Sequence, residues 1–161
     1  MSSGLIKTKT KTIIGIDYSL NSPAICISTN GGTAFSDCYF YYLTSKKKHI
    51  GKMLENVIGY EHKEWKSPIE RFTNLSGWVL HILDTLHKKQ TNKHVFIEGY
   101  SYGSKGQAIF QIAENGGILK YRLQKKFNCK TIVPSVVKKL ATGKGNADKQ
   151  KMYDEFTRTQ G

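Results

Sequence analysis

Residues 12–17, TIIGID, form a β-rich apolar run that ends on an acid. Residues 23–29, PAICIST, repeat the pattern after a short polar turn, and residues 33–43, TAFSDCYFYYL, resume it with aromatics. The NGG between the second and third runs tolerates positive φ and reads as a hairpin turn. Three strands joined by short turns predict an antiparallel meander. Residues 44–67 break the pattern with a lysine run and a weakly helical stretch. They predict a long connection with room for one short helix.

Helical spacing takes over at Ser67. SPIE offers Ser67 as N-cap, Pro68 in the first turn and Glu70 to close a capping box. Ile69, Phe72, Leu75, Val79, Ile82, Leu83 and Leu86 then recur on one helical face, up to a stop near KKQTN. His94–Glu98 is short, apolar and bounded by turn residues, as a buried parallel strand would be. A second helix is expected over Gln107–Phe127, with Ile109, Ile112, Ala113, Leu119 and Leu123 as its apolar side. Gly116 and Gly117 fall inside it, each at a cost of up to ~1 kcal/mol relative to alanine. Such a pair implies close approach of another backbone, or a kink. A fifth strand, KTIVP, a short helix, SVVKKLA, a TGKGN turn and a final helix from ADK onward complete the order β-β-β-α-β-α-β-α-α. The expected fold class is α/β, with a mixed five-stranded sheet of three antiparallel strands followed by parallel ones, flanked by helices. A single domain, residues 12–161, follows a basic flexible tail, residues 1–11.

Charge changes the picture. The chain has 161 residues with 25 basic and 12 acidic side chains, a formal net charge of +13. The excess is +1 over residues 1–42, +5 over 43–93 and +7 over 94–161. A polyanion, most often nucleic acid, is the partner such charge implies. No apolar run reaches the roughly 18 residues of a membrane span, and MSSGLIKTKTK carries no apolar segment of a signal peptide. The expectation is a cytoplasmic protein with no membrane partner. Cys26, Cys38 and Cys129 are scattered and fit small buried thiols in a reducing compartment. No Cys/His cluster has zinc-ligand spacing.

The chemistry lies in two acids. Asp17 ends the first strand and Glu98 the fourth. If those strands are neighbours, the two carboxylates converge at one edge of the sheet. Convergent carboxylates are hard-oxygen ligands for Mg²⁺, with Mn²⁺ as a substitute. A phosphodiester-cleaving site uses such acids to hold two metal ions. Taken singly, Asp17 would serve as a turn cap and Glu98 as a lysine partner.

IIGIDYSLNSPAICI, VFIEGYSYGSKGQA and VPSVVKKLATGKGNADKQKM, in that order, resemble the RuvC-type Holliday-junction resolvases of the RNase H-like superfamily, the viral (phage or poxvirus) branch more than the bacterial one. A viral source would put the protein in host cytoplasm. The resemblance implies a Mg²⁺-dependent endonuclease that resolves four-way junctions and other branched DNA as a homodimer. It makes Asp17 and Glu98 catalytic metal ligands. It gives Tyr100 or Tyr102, in the loop after Glu98, the role of an aromatic that stacks on bases. It puts Lys105, Lys138, Lys139, Lys144 and Lys149 on DNA. The family adds one or two acids on a later helix. This chain reaches Gly161 before such a segment, so the expectation is a domain lacking its last helix and weakly active. Two rivals stay open: a non-catalytic RNase H-like module that only binds nucleic acid, and an actin-like ATPase fragment, for which 161 residues are few.

Overall fold

Alternation along β1 (Thr12–Asp17) divides the molecule into two faces. Thr12, Ile14 and Ile16 are buried, and Ile13, Gly15 and Asp17 point the other way. The computed structural model describes residues 11–100, 106 and 108–160. β1 pairs antiparallel with β2 (Ala24–Ser28), and β2 with β3 (Cys38–Thr44), as the meander pattern predicts. β1 also pairs in parallel with β6 (Lys93–Glu98), and β6 with β7 (Asn128–Ile132).

The sheet has seven strands where five are expected, in the order β4-β5-β3-β2-β1-β6-β7. The two additional strands are β4 (Gly51–Leu54) and β5 (Val57–Glu61), inside the segment read as a connection. β5 adds to β3 in parallel, and β4 closes the edge antiparallel with a register shift between Lys52 and Leu54. A hairpin this short, with Lys52 and Glu55 paired across 2.9 Å on the solvent side, lacks the apolar alternation that marks a strand. Gly59 is required there, because a Cβ would run into the His49 carbonyl.

α1 (Pro68–His81) starts at Ser67, whose Oγ accepts from the Glu70 amide at 3.2 Å. The Glu70 carboxylate reaches one residue further back than a capping box requires and accepts from the Lys66 amide at 2.9 Å. The helix loosens into a π turn over Ile82–Leu86, closed by the His87 amide on the Ile82 carbonyl. α2 (Ala108–Gln124) lies beside α1. The core forms where both meet the sheet: Ile14, Ile16, Ile25, Ile27, Val95 and Ile97 pack against Val79, Ile82, Leu83, Leu119 and Leu123. Each such side chain contributes about 1.5–3 kcal/mol on burial.

The sheet's end is tied to α1 by the buried Tyr41–His87 pair, 2.8 Å between Oη and Nε2. Burial, with Tyr60 and Tyr39 nearby, pushes the Tyr41 phenol up to about 12. Burial and Lys93 push the His87 imidazole down.

α3 (Pro134–Thr142) and α4 (Lys149–Gln160) lie on the opposite side of the sheet and bury no residue of their own. Between them and the sheet runs an apolar groove of about 740 Å³, reached by Phe96, Ile132, Val137 and Leu140. Among the described residues, no helix is long and apolar enough to cross a membrane.

Candidate active site

The parallel register of β1 and β6 decides where the acids go. Ile14 faces Val95 and Ile16 faces Ile97. One residue further, Asp17 and Glu98 stand side by side. Strand alternation turns both away from the apolar core, at the point where each strand ends. The convergence that the two strand ends predict is present.

Their electrostatics register the closeness. Burial raises the Glu98 carboxyl above its ordinary range, the neighbouring Asp17 charge raises it further, and Lys138 draws it back. Crowding by protein raises the Asp17 carboxyl, although it keeps a solvent-open side, and Lys149 opposes the rise. Two adjacent carboxylates that resist shared ionisation are a suitable donor set for a hard divalent cation, whose charge would relieve the repulsion. Among the described residues, no cluster of three or more His, Cys, Asp or Glu side chains forms. Asp148, Asp154 and Glu155 are engaged within α4: Asp148 caps its start, Gln150 bonds Asp154, and Arg158 pairs with Glu155.

The acids border a cleft of about 610 Å³. One wall is the β1–β2 turn. The Leu20 carbonyl accepts from Arg71 Nη2 at 2.7 Å and from His62 Nε2 at 2.9 Å, and Asn21 Oδ1 accepts from Arg71 at 2.6 Å. Arg71 and His62 thereby hold the turn beside Asp17 from α1 and the end of β5. Sequence reasoning missed both, because their roles depend on contacts 42–51 residues away. Gly99 lets the chain leave β6 tightly against β7: its amide bonds the Ile132 carbonyl at 2.7 Å, and a Cβ would lie 3.3 Å from that oxygen.

The lysines expected on DNA divide by position. Lys138 lines the cleft. Lys149, at the start of α4, lies near enough to Asp17 to act on its titration. Lys139 and Lys144 are exposed on α3 and on the turn after it. Gly143 closes α3 with φ 77°, its amide on the Lys139 carbonyl at 2.9 Å. That left-handed cap is the structural use of the TGKG glycine. Tyr102 and Lys105 lie outside the described residues. Tyr100 folds back on α2, its hydroxyl donating to the Ala113 carbonyl at 3.2 Å. A further cation, Lys120 of α2, enters the same cleft and has no sequence signal that singles it out.

No protein-family model matches the chain, and no curated protein matches it in sequence. Solved structures do. Thermus thermophilus RuvC aligns with a TM-score of 0.55 at 15% identity, over 87% of this chain and 74% of that one. T. thermophilus RuvC in complex with Holliday junction substrate aligns with a TM-score of 0.61 at 13% identity, over 93% of this chain and 79% of that one. The fold is RuvC-like. The mixed sheet with flanking helices is therefore the RNase H-like arrangement that the three sequence motifs imply.

Proposed function

We propose that the protein is a structure-selective, metal-dependent endonuclease that acts on branched DNA, four-way junctions above all. The observation that carries this reading is the meeting of Asp17 and Glu98 at the open end of a RuvC-like sheet, in a chain of net charge +13. The neighbour solved with a Holliday junction supports the choice of substrate.

Asp17 and Glu98 would hold Mg²⁺ or Mn²⁺. When bound, the metal supplies an activated water and charge stabilisation at the leaving oxygen. Lys138 and Lys149 offset the repulsion between the two carboxylates and the DNA backbone, and Lys139 and Lys144 extend the basic surface along α3 and its turn. These contacts position the duplex arms without reading bases. Two carboxylates alone fix a metal loosely, so nicking by this acid pair would be slow beside junction binding.

Two matched cuts in a near-two-fold junction call for two related sites, so the chain would act as a homodimer. Phe110, Gly117 and Tyr121 form an exposed stripe on one face of α2, with Phe110 69% and Tyr121 63% exposed. Gly117 has open space where a Cβ would be. Sedimentation at micromolar concentration should show a dimer that Gly117→Leu weakens. A monomer with and without junction would count against this assembly.

The reading as a whole is tested by nicking of a labelled four-way junction in Mg²⁺ and Mn²⁺. Asp17→Asn and Glu98→Gln should abolish cutting and leave gel-shift binding intact or tighter, since each removes a ligand and a charge that repels phosphate. A variant that cuts at the wild-type rate would remove its acid from the site. Binding with no cutting and no metal uptake would favour the non-catalytic module.

A further inference from the structure

Tyr100 is built into the cleft in an unusual way. Its ring lies against α2 at Gly116, where a Cβ would fall 2.5 Å from its hydroxyl oxygen and 3.0 Å from its ring edge. Glycine at 116 is therefore what admits the ring, and the close approach that the glycine pair implies is by a side chain of this chain. The hydroxyl is held by the Ala113 carbonyl. Over the ring, 4.5 Å from its centroid, stands the Lys120 ammonium. Lys120 is one helical turn beyond Gly116 on the same face of α2. Helix backbone, tyrosine ring and lysine form a stack that opens into the cleft with Glu98 and Lys138.

Among the described residues, Lys120 has no carboxylate partner within ion-pairing distance. An aromatic face holds an ammonium by its quadrupole and leaves its N–H donors free, whereas a carboxylate would occupy them. The ring thus aims a cation without neutralising it. Lys120 comes from α2 and Lys138 from α3, so two elements each supply a cation to a cleft whose floor holds two acids. A phosphate in that cleft needs such cations, because the acids alone would expel it.

We propose that Lys120 binds a DNA backbone phosphate next to the acid pair, and that Tyr100 is a positioning residue that aims Lys120. The proposal rests on the nucleic-acid reading above and deepens it. It gives Tyr100 a use other than base stacking, since Lys120 occupies one ring face and its hydroxyl is committed to the helix.

The test is the salt dependence of binding to a labelled four-way junction, on folded variants checked by circular dichroism. Lys120→Gln should lower the magnitude of the salt slope by about 0.9, the contribution of one phosphate contact, and Lys120→Arg should restore it. Tyr100→Phe keeps the ring but not the bond to the Ala113 carbonyl, and should lose less binding than Tyr100→Ala. Tyr100→Ala should weaken binding several-fold, and should add nothing in the Lys120→Gln background. A wild-type slope in Lys120→Gln would overturn the phosphate role while leaving the junction reading intact. An equal Tyr100→Ala loss with and without Lys120 would overturn the positioning role. Absence of salt-dependent junction binding by the wild type would defeat the underlying reading, and this proposal with it.

Discussion

Asp17 and Glu98 carry a cost in the unliganded fold that can be measured without any substrate. Both carboxyls sit above their ordinary range, Glu98 through burial and the Asp17 charge, Asp17 through burial. A carboxyl that holds its proton more tightly in the folded state opposes folding once pH rises above its unfolded value. Below about pH 4 both states are protonated and the penalty vanishes. Asp17→Asn and Glu98→Gln should therefore raise the melting temperature at pH 7 in chelator, with a gain that shrinks toward pH 4. A gain of the same size at every pH would show that ionising these carboxyls carries no cost in the fold. These acids were legible in the sequence because each interrupts an apolar run at a strand end. Arg71, His62 and Lys120 were not, because a lone basic side chain looks the same in sequence whether it faces solvent, a turn 50 residues away or a cleft.

At the scale of elements, the strands with strong alternation and the helices with long apolar periodicity stand where the sequence puts them. Ile14, Ile16, Ile25 and Ile27 declare β1 and β2, and Leu75 and Val79 declare α1, with Ile82 and Leu83 in the π turn that extends it. The β4–β5 hairpin was not legible. Val57–Glu61 pairs with β3 as well as with β4, and the tertiary contact with β3 is not signalled by the local pattern. Gly116 was noticed but its cause lay upstream at Tyr100. α3 was read correctly as a short helix, and its chemistry is open to test. Replacing Lys138 and Lys139 with alanine should lower the magnitude of the junction-binding salt slope by about one to two units across sequences. An unchanged slope would show that both side chains face only water.

The whole molecule joins a well-packed face, where α1 and α2 cover the sheet, to a sparsely covered one, where α3 and α4 leave an apolar groove beside the acids. The cleft lysines Lys120 and Lys138, the acid pair and the groove all lie toward the carboxyl ends of β1 and β6. The central claim is that Asp17 and Glu98 together form a divalent metal site. Its most direct test is Mn²⁺ binding, followed by electron paramagnetic resonance at neutral pH in the presence of a four-way junction. The wild-type chain should take up protein-bound Mn²⁺ that Asp17→Asn and Glu98→Gln each lose while still holding the junction. Equal Mn²⁺ uptake by the wild type and both variants would contradict the claim.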